Sequence, residues 1–170
     1  MARTRPTVAD LRAMKGKRQL TMLRVLTLEE AEAAERAGVD IVSIPPALLL
    51  NPQYRDAAPS LFSMPGENFY EIGTAEDFVR WSFAMLKASA DAVYCSASYA
   101  TVKAMADENV PVIGHVGLIP SRKTWTGGFK AVGKTAASAL QILEAVRAYE
   151  AAGAFGAEIE VVPVEVATEI

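Results

Sequence analysis

Short apolar runs alternate along this chain with longer stretches of helical period, and that alternation admits few folds. It is the pattern of repeated βα units, in which each short run is a strand of a parallel sheet and each helical stretch its crossover. Six strands are expected, at 20–25 (LTMLRV), 40–44 (DIVSI), 60–64 (SLFSM), 91–96 (DAVYCS), 110–117 (VPVIGHVG) and 156–162 (GAEIEVV). Thr27 with Glu30 opens an alanine-rich helix as a capping box and Gly38 closes it, and Thr74 with Asp77 opens another. Helical period also runs through SYATVKAMADEN and TAASALQILEAVRAYEAAG. A short N-terminal helix follows Thr7, and VPVEVATEI begins a last one. Residues 45–59 carry four prolines and no helical period, so this crossover is expected to be a loop or a single turn.

The fold class expected is therefore α/β of the TIM-barrel type, one domain over residues 1–170 with about six parallel strands. Eight βα units close such a barrel, so six make a partial (βα)8 barrel whose edges stay open or are covered by another subunit.

Composition narrows the function classes. Half of the chain is hydrophobic (51%), the net charge is −3, and the basic residues are scattered apart from a locally basic N-terminus. That is a soluble globular domain, not a nucleic-acid surface. No apolar run approaches the roughly 20 residues that cross a bilayer, so no membrane role is expected. Cys95, the single cysteine, has no internal disulfide partner, and no apolar signal segment opens the chain, so the expected compartment is the cytoplasm.

GFKAVGKT, residues 128–135, matches the phosphate-loop pattern G-x-x-x-x-G-K-[ST]. A helix is expected after Thr135, as such a loop requires. The strand that must run into the first glycine is missing, because LIPSRKTWT reads as loop. A nucleotide-binding loop thus stands as a lesser alternative to a long βα loop whose glycines turn the chain.

VPVIGHVGLIPSRKTWTGGFKAVGKT closely resembles the signature of the ketopantoate hydroxymethyltransferases, and GAFGAEIEVVPVEVATEI resembles that family's next strand and helix. TVADLRAMKGKRQLTML and AERAGVDIV resemble its N-terminal part. The resemblance implies a barrel of the phosphoenolpyruvate mutase/isocitrate lyase type, assembled as a homo-oligomer. It implies transfer of a one-carbon unit from 5,10-methylenetetrahydrofolate to the 2-oxo acid 3-methyl-2-oxobutanoate, with Mg²⁺ on the oxo acid and a glutamate as general base. That base falls on Glu160, and the histidine of GH-x-GL falls on His115.

The implied metal ligands are not carboxylates here. Their positions fall on Pro46, with a substrate-binding serine replaced by Ala47, on Ser63 and on Ser96; the family's lysine falls on Tyr94. Proline offers no side-chain oxygen and serine is a weak ligand for a hard dication. Expected substrate contacts are Ser63, Tyr94, Ser96, Glu158 and Arg24, whose guanidinium fits the carboxylate of a 2-oxo acid or an ordinary surface ion pair. Glu158 and Glu160 stand two apart on one strand, hence on one face about 7 Å apart, as an acid–base pair or with Glu158 turned to solvent or a subunit. His115 is a substrate contact or a satisfied core histidine, and Cys95 a nucleophile or core filling. Glu67 and Asn68 offer displaced ligands or a simple turn. The expected function is that of a diverged hydroxymethyltransferase-type enzyme, with a catalytically impaired structural or regulatory partner as the alternative.

Overall fold

The computed structural model describes residues 3–66 and 71–170, so Glu67 and Asn68 lie outside the described residues. The chain divides into two units: Met1–Asn68 with Arg80–Tyr94, and Phe69–Val79 with Cys95–Ile170.

In the first unit, α1 (Val8–Met14) starts at Thr7 with a reciprocal capping box to Asp10. Strands β1 (Met22–Arg24), β2 (Ile41–Ile44) and β3 (Phe62–Pro65) form a parallel sheet in that order, with Arg24 beside Ser43 and Val42 beside Ser63. Between β1 and β2 runs α2 (Leu28–Ala37), capped by the Thr27 hydroxyl and ended by Gly38 in the left-handed region. Glu30 does not return to Thr27 as a capping box would; its carboxylate takes the Leu26 N–H at 2.6 Å. Instead of one turn, the Pro-rich crossover holds two, α3 (Pro46–Leu49) and α4 (Tyr54–Ala57), because proline is accommodated at a first helical position. Helix α5 (Ala75–Lys87) leads to β4 (Val93–Tyr94), which meets β3 through a Gly66–Tyr94 bridge.

Val42, Ile44, Phe62 and Met64 are fully buried and make the core of this sheet. β1 differs: it is three residues long rather than six, and all three are exposed, Met22 and Leu23 at 42% and 49%. Among the described residues it has a neighbouring strand on one side only.

The second unit packs α6 (Tyr99–Asp107) and α8 (Ala136–Ala151) against β5 (Val112–Gly117), which pairs in parallel with β6 (Gly156–Glu160); α9 (Val164–Thr168) follows. Tyr149 of α8 lies over Gly114, where even a methyl group would stand 2.5 Å from its ring, and it meets Tyr99 edge to face at 4.9 Å between centroids.

No strand enters GFKAVGKT. A 3-10 turn (Pro120–Arg122) and the single-turn α7 (Lys123–Thr126) come first, and Gly127 ends α7. Gly133 has a φ of 89° and lies where a side chain would meet Ile142, so its glycine serves packing. The Thr135 hydroxyl caps α8 through the Ser138 N–H. The residues a phosphate loop would use are thus occupied by turn and cap, and the nucleotide-loop alternative is set aside.

Candidate functional site

Side chains on neighbouring parallel strands point the same way when their residues are in register. His115 of β5 pairs with Glu158 of β6, and Gly117 with Glu160, so the imidazole and both carboxylates share one face. His115 is 3% exposed, and its Nε2 approaches Glu160 Oε2 to 3.0 Å. One ligand atom from each of His115, Glu158 and Glu160 lies within 4.8 Å of the others. Gly117 makes this approach possible: its φ is 86°, and a β-carbon there would overlap the Glu160 carbonyl oxygen. That carbonyl instead accepts the Leu118 N–H at 2.9 Å, tying the end of β6 to the strand beside it.

Burial pushes the His115 imidazole down to about 4, with the Arg122 charge acting in the same direction and a hydrogen bond to the Leu118 backbone opposing it. The imidazole is therefore neutral at pH 7. Its bond to the Leu118 carbonyl uses one ring hydrogen and leaves a lone pair on the nitrogen that faces Glu160. Burial, then the Glu158 charge, raises the Glu160 carboxyl above the usual carboxylate range. Two acceptors 3.0 Å apart oppose each other unless a proton lies between them, so a proton taken up by Glu160 would be shared with the His115 nitrogen.

The other expected site residues are placed as follows. Ser96 is buried in the second unit, and its carbonyl accepts from Arg122 Nη2 at 2.8 Å. Cys95 is wholly buried and fills the core. Arg24, Ser63 and Tyr94 belong to the first unit. Arg24 donates to the Ser43 hydroxyl at 2.9 Å on the exposed strand β1. The Ser63 hydroxyl contacts Tyr54 Oη at 2.7 Å and the Leu61 carbonyl and Arg55 at 3.1 Å, while its N–H donates to Asp91 at 2.8 Å. Tyr94 is half-buried in β4.

Neither set of residues fits Mg²⁺ well. Pro46 opens α3 without a side-chain oxygen, the Ser63 hydroxyl is engaged by three partners, and the Ser96 carbonyl holds a guanidinium. The His115–Glu158–Glu160 group adds an imidazole nitrogen, a donor suited to Zn²⁺ or Mn²⁺ more than to octahedral, all-oxygen Mg²⁺.

A residue that sequence reasoning passed over also belongs to this unit. Arg122 lines a cleft of about 160 Å³ together with His115, Tyr99, Ser138, Gln141 and Tyr149. Its only sequence signal was a basic residue in a loop next to the GH-x-GL motif.

Parallel strands joined by helices define an α/β fold of the TIM-barrel type. Solved structures agree in fold: 2,3-dimethylmalate lyase, a phosphoenolpyruvate mutase/isocitrate lyase superfamily member, superposes with a TM-score of 0.65 at 14% identity over 96% of this chain and 66% of its own. Phosphonopyruvate hydrolase superposes with a TM-score of 0.64 at 16% identity over 91% and 63%. The family model for ketopantoate hydroxymethyltransferase matches residues 61–170. The 3-methyl-2-oxobutanoate hydroxymethyltransferase of Staphylothermus marinus is 30% identical over 96% of this chain and 69% of its own, and that of Pyrobaculum aerophilum is 42% identical over 59% and 39%. The chain belongs to the ketopantoate hydroxymethyltransferase family. It spans 39% of one of these relatives and 69% of the other.

Proposed function

We propose that this protein carries out carbon–carbon chemistry on a 2-oxo acid, with Glu160 as the base that removes the proton next to the ketone. The observation that carries this reading is the 3.0 Å approach of His115 Nε2 to Glu160 Oε2, with Glu158 on the same face. A lone pair and a second carboxylate facing Glu160 both strengthen it as a base, and the neutral imidazole orients it and shares the proton once it is taken. In the family reaction the C3–H bond of 3-methyl-2-oxobutanoate breaks and its electron pair forms a carbon–carbon bond to a one-carbon unit at the formaldehyde level, which 5,10-methylenetetrahydrofolate and water would supply with release of tetrahydrofolate, the new alkoxide taking up a proton. Mg²⁺ in such a reaction stabilises the enolate; the residues at the corresponding positions here do not fit it.

Proton removal is tested without the folate. In D₂O the protein is expected to place deuterium at C3 of 3-methyl-2-oxobutanoate, and Glu160→Gln to slow this by roughly 10²-fold or more. Exchange no faster than in buffer would sink the reading.

A second reading, an impaired homologue acting as a partner subunit, is favoured by the uncovered apolar residues of β1, Met22 and Leu23. Both readings carry a cytoplasmic homo-oligomer, and light scattering on the purified chain tests the assembly.

A further inference from the structure

Arg122 closes the 3-10 turn after β5 and is held there by a single tether, Nη2 to the Ser96 carbonyl at 2.8 Å. Arg5, Arg18, Arg36, Arg55 and Lys103 each pair with a carboxylate. Among the described residues Arg122 has no carboxylate at ion-pair distance, although it stands in a cleft with a buried histidine. A guanidinium has five N–H donors on a planar fork, so one bond to a carbonyl positions it and leaves the remaining edge directed at a ligand. The cleft walls beside it offer neutral polar groups, Tyr99, Ser138, Gln141 and Tyr149, and no acid. Among the described residues no carboxylate supplies the counter-charge of this pocket.

We infer that Arg122 is the carboxylate anchor of this cleft, holding a 2-oxo acid by a bidentate contact at the end of β5. The inference rests on the 2-oxo acid reading proposed above and adds the group that binds the substrate. Electrostatically it is coherent with the residues lost elsewhere. A lysine and a carboxylate-held dication are replaced at Tyr94 and Ser96, and a cation tethered to Ser96 returns positive charge to that unit from a different loop. A fixed charge on the carboxylate offsets the second negative charge that develops on the enolate.

His115 is the sole histidine, so its ring proton gives one NMR signal that reports on the cleft. The titration uses the full chain in EDTA with 3-methyl-2-oxobutanoate, and with 3-methyl-2-butanone as the same ketone without its carboxylate. A saturable shift is expected with the acid and none with the ketone. Arg122→Met should raise the dissociation constant at least 10-fold and Arg36→Met, at an exposed ion pair with Glu32, should leave it unchanged. Arg122→Lys, which keeps a charge and a donor for Ser96 but not the fork, should fall between; it also serves if the Met variant does not fold. Equal binding by wild type and Arg122→Met, equal binding of acid and ketone, or no binding of the acid overturns the anchor. Arg122-dependent binding without C3 exchange supports the anchor and removes the base assignment. C3 exchange that Arg122→Met leaves intact at low substrate does the reverse.

Discussion

His115 Nε2 and Glu160 Oε2 stand 3.0 Å apart although 45 residues separate them, because β5 and β6 pair in parallel with His115 beside Glu158 and Gly117 beside Glu160. The pair is thus a product of register. A slip of one residue would turn both carboxylates to the opposite face.

Glu158 sets how basic Glu160 is. Burial raises the Glu160 carboxyl first and the Glu158 charge adds to it. In Glu158→Gln the second contribution is removed, so the pH at which C3 exchange rises to half its plateau should move down, with a lower plateau from the weaker base. The pH–rate profile of deuterium exchange checks this; an unmoved midpoint would show that Glu158 does not act on Glu160.

His115 makes stability depend on pH in a defined window. The folded imidazole takes its proton only near 4, whereas the unfolded one takes it near 6.5. Between these values the unfolded chain binds more protons, so this contribution is complete above about pH 6.5 and is lost as pH falls toward 4. About 2 kcal/mol should disappear between pH 7 and pH 5. Glu160, shifted upward, acts in the opposite sense. Urea unfolding of wild type and His115→Asn at the two pH values isolates the histidine, and equal losses in both proteins would rule it out.

Gly117 is a placement residue for the site. Its φ of 86° and the absence of a β-carbon let the Glu160 carbonyl sit against it. Gly117→Ala should displace the end of β6, costing about 1–3 kcal/mol, and should lower C3 exchange in the fraction that remains folded. Retention of full exchange by a folded Gly117→Ala protein would contradict this.

Asp91 and Arg55 hold the first unit together from within. Their side chains are 13% and 21% exposed and meet at 3.0 Å, and Asp91 also accepts the Ser63 N–H. Burial raises the Asp91 carboxyl and lowers the Arg55 guanidinium despite their attraction, so desolvation outweighs the pairing in both. Asp91→Ala strands a buried cation and an amide and should cost about 3–5 kcal/mol. Arg55→Met added to it should recover part of that loss, as denaturant midpoints will show.

Much of the fold was legible because its signals are local. Thr7, Thr74 and Thr135 act as helix caps through their own hydroxyls, and Gly38 ends α2 through its own φ. Strand positions followed from apolar runs, but β1 came out shorter, since only the residues in register with β2 gain ladder bonds. The two turns in the Pro-rich crossover carry too few residues to show a helical period. Glu160 and His115 were singled out by the resemblance of GAFGAEIEVVPVEVATEI and of GH-x-GL, and the structure brings them within 3.0 Å of each other. Arg122 was not, because its significance lies in a bond to Ser96, 26 residues away.

The order of residues by itself determined the βα alternation and the family, since residue identity and spacing suffice for these. Tertiary structure alone decided that the Ser63 hydroxyl joins Tyr54, Arg55 and the Leu61 carbonyl in a buried cluster, that GFKAVGKT follows a helical turn, and that His115 Nε2 comes within 3.0 Å of Glu160 Oε2. Each depends on burial and on register between distant segments, which set charge states and contacts that no local pattern contains.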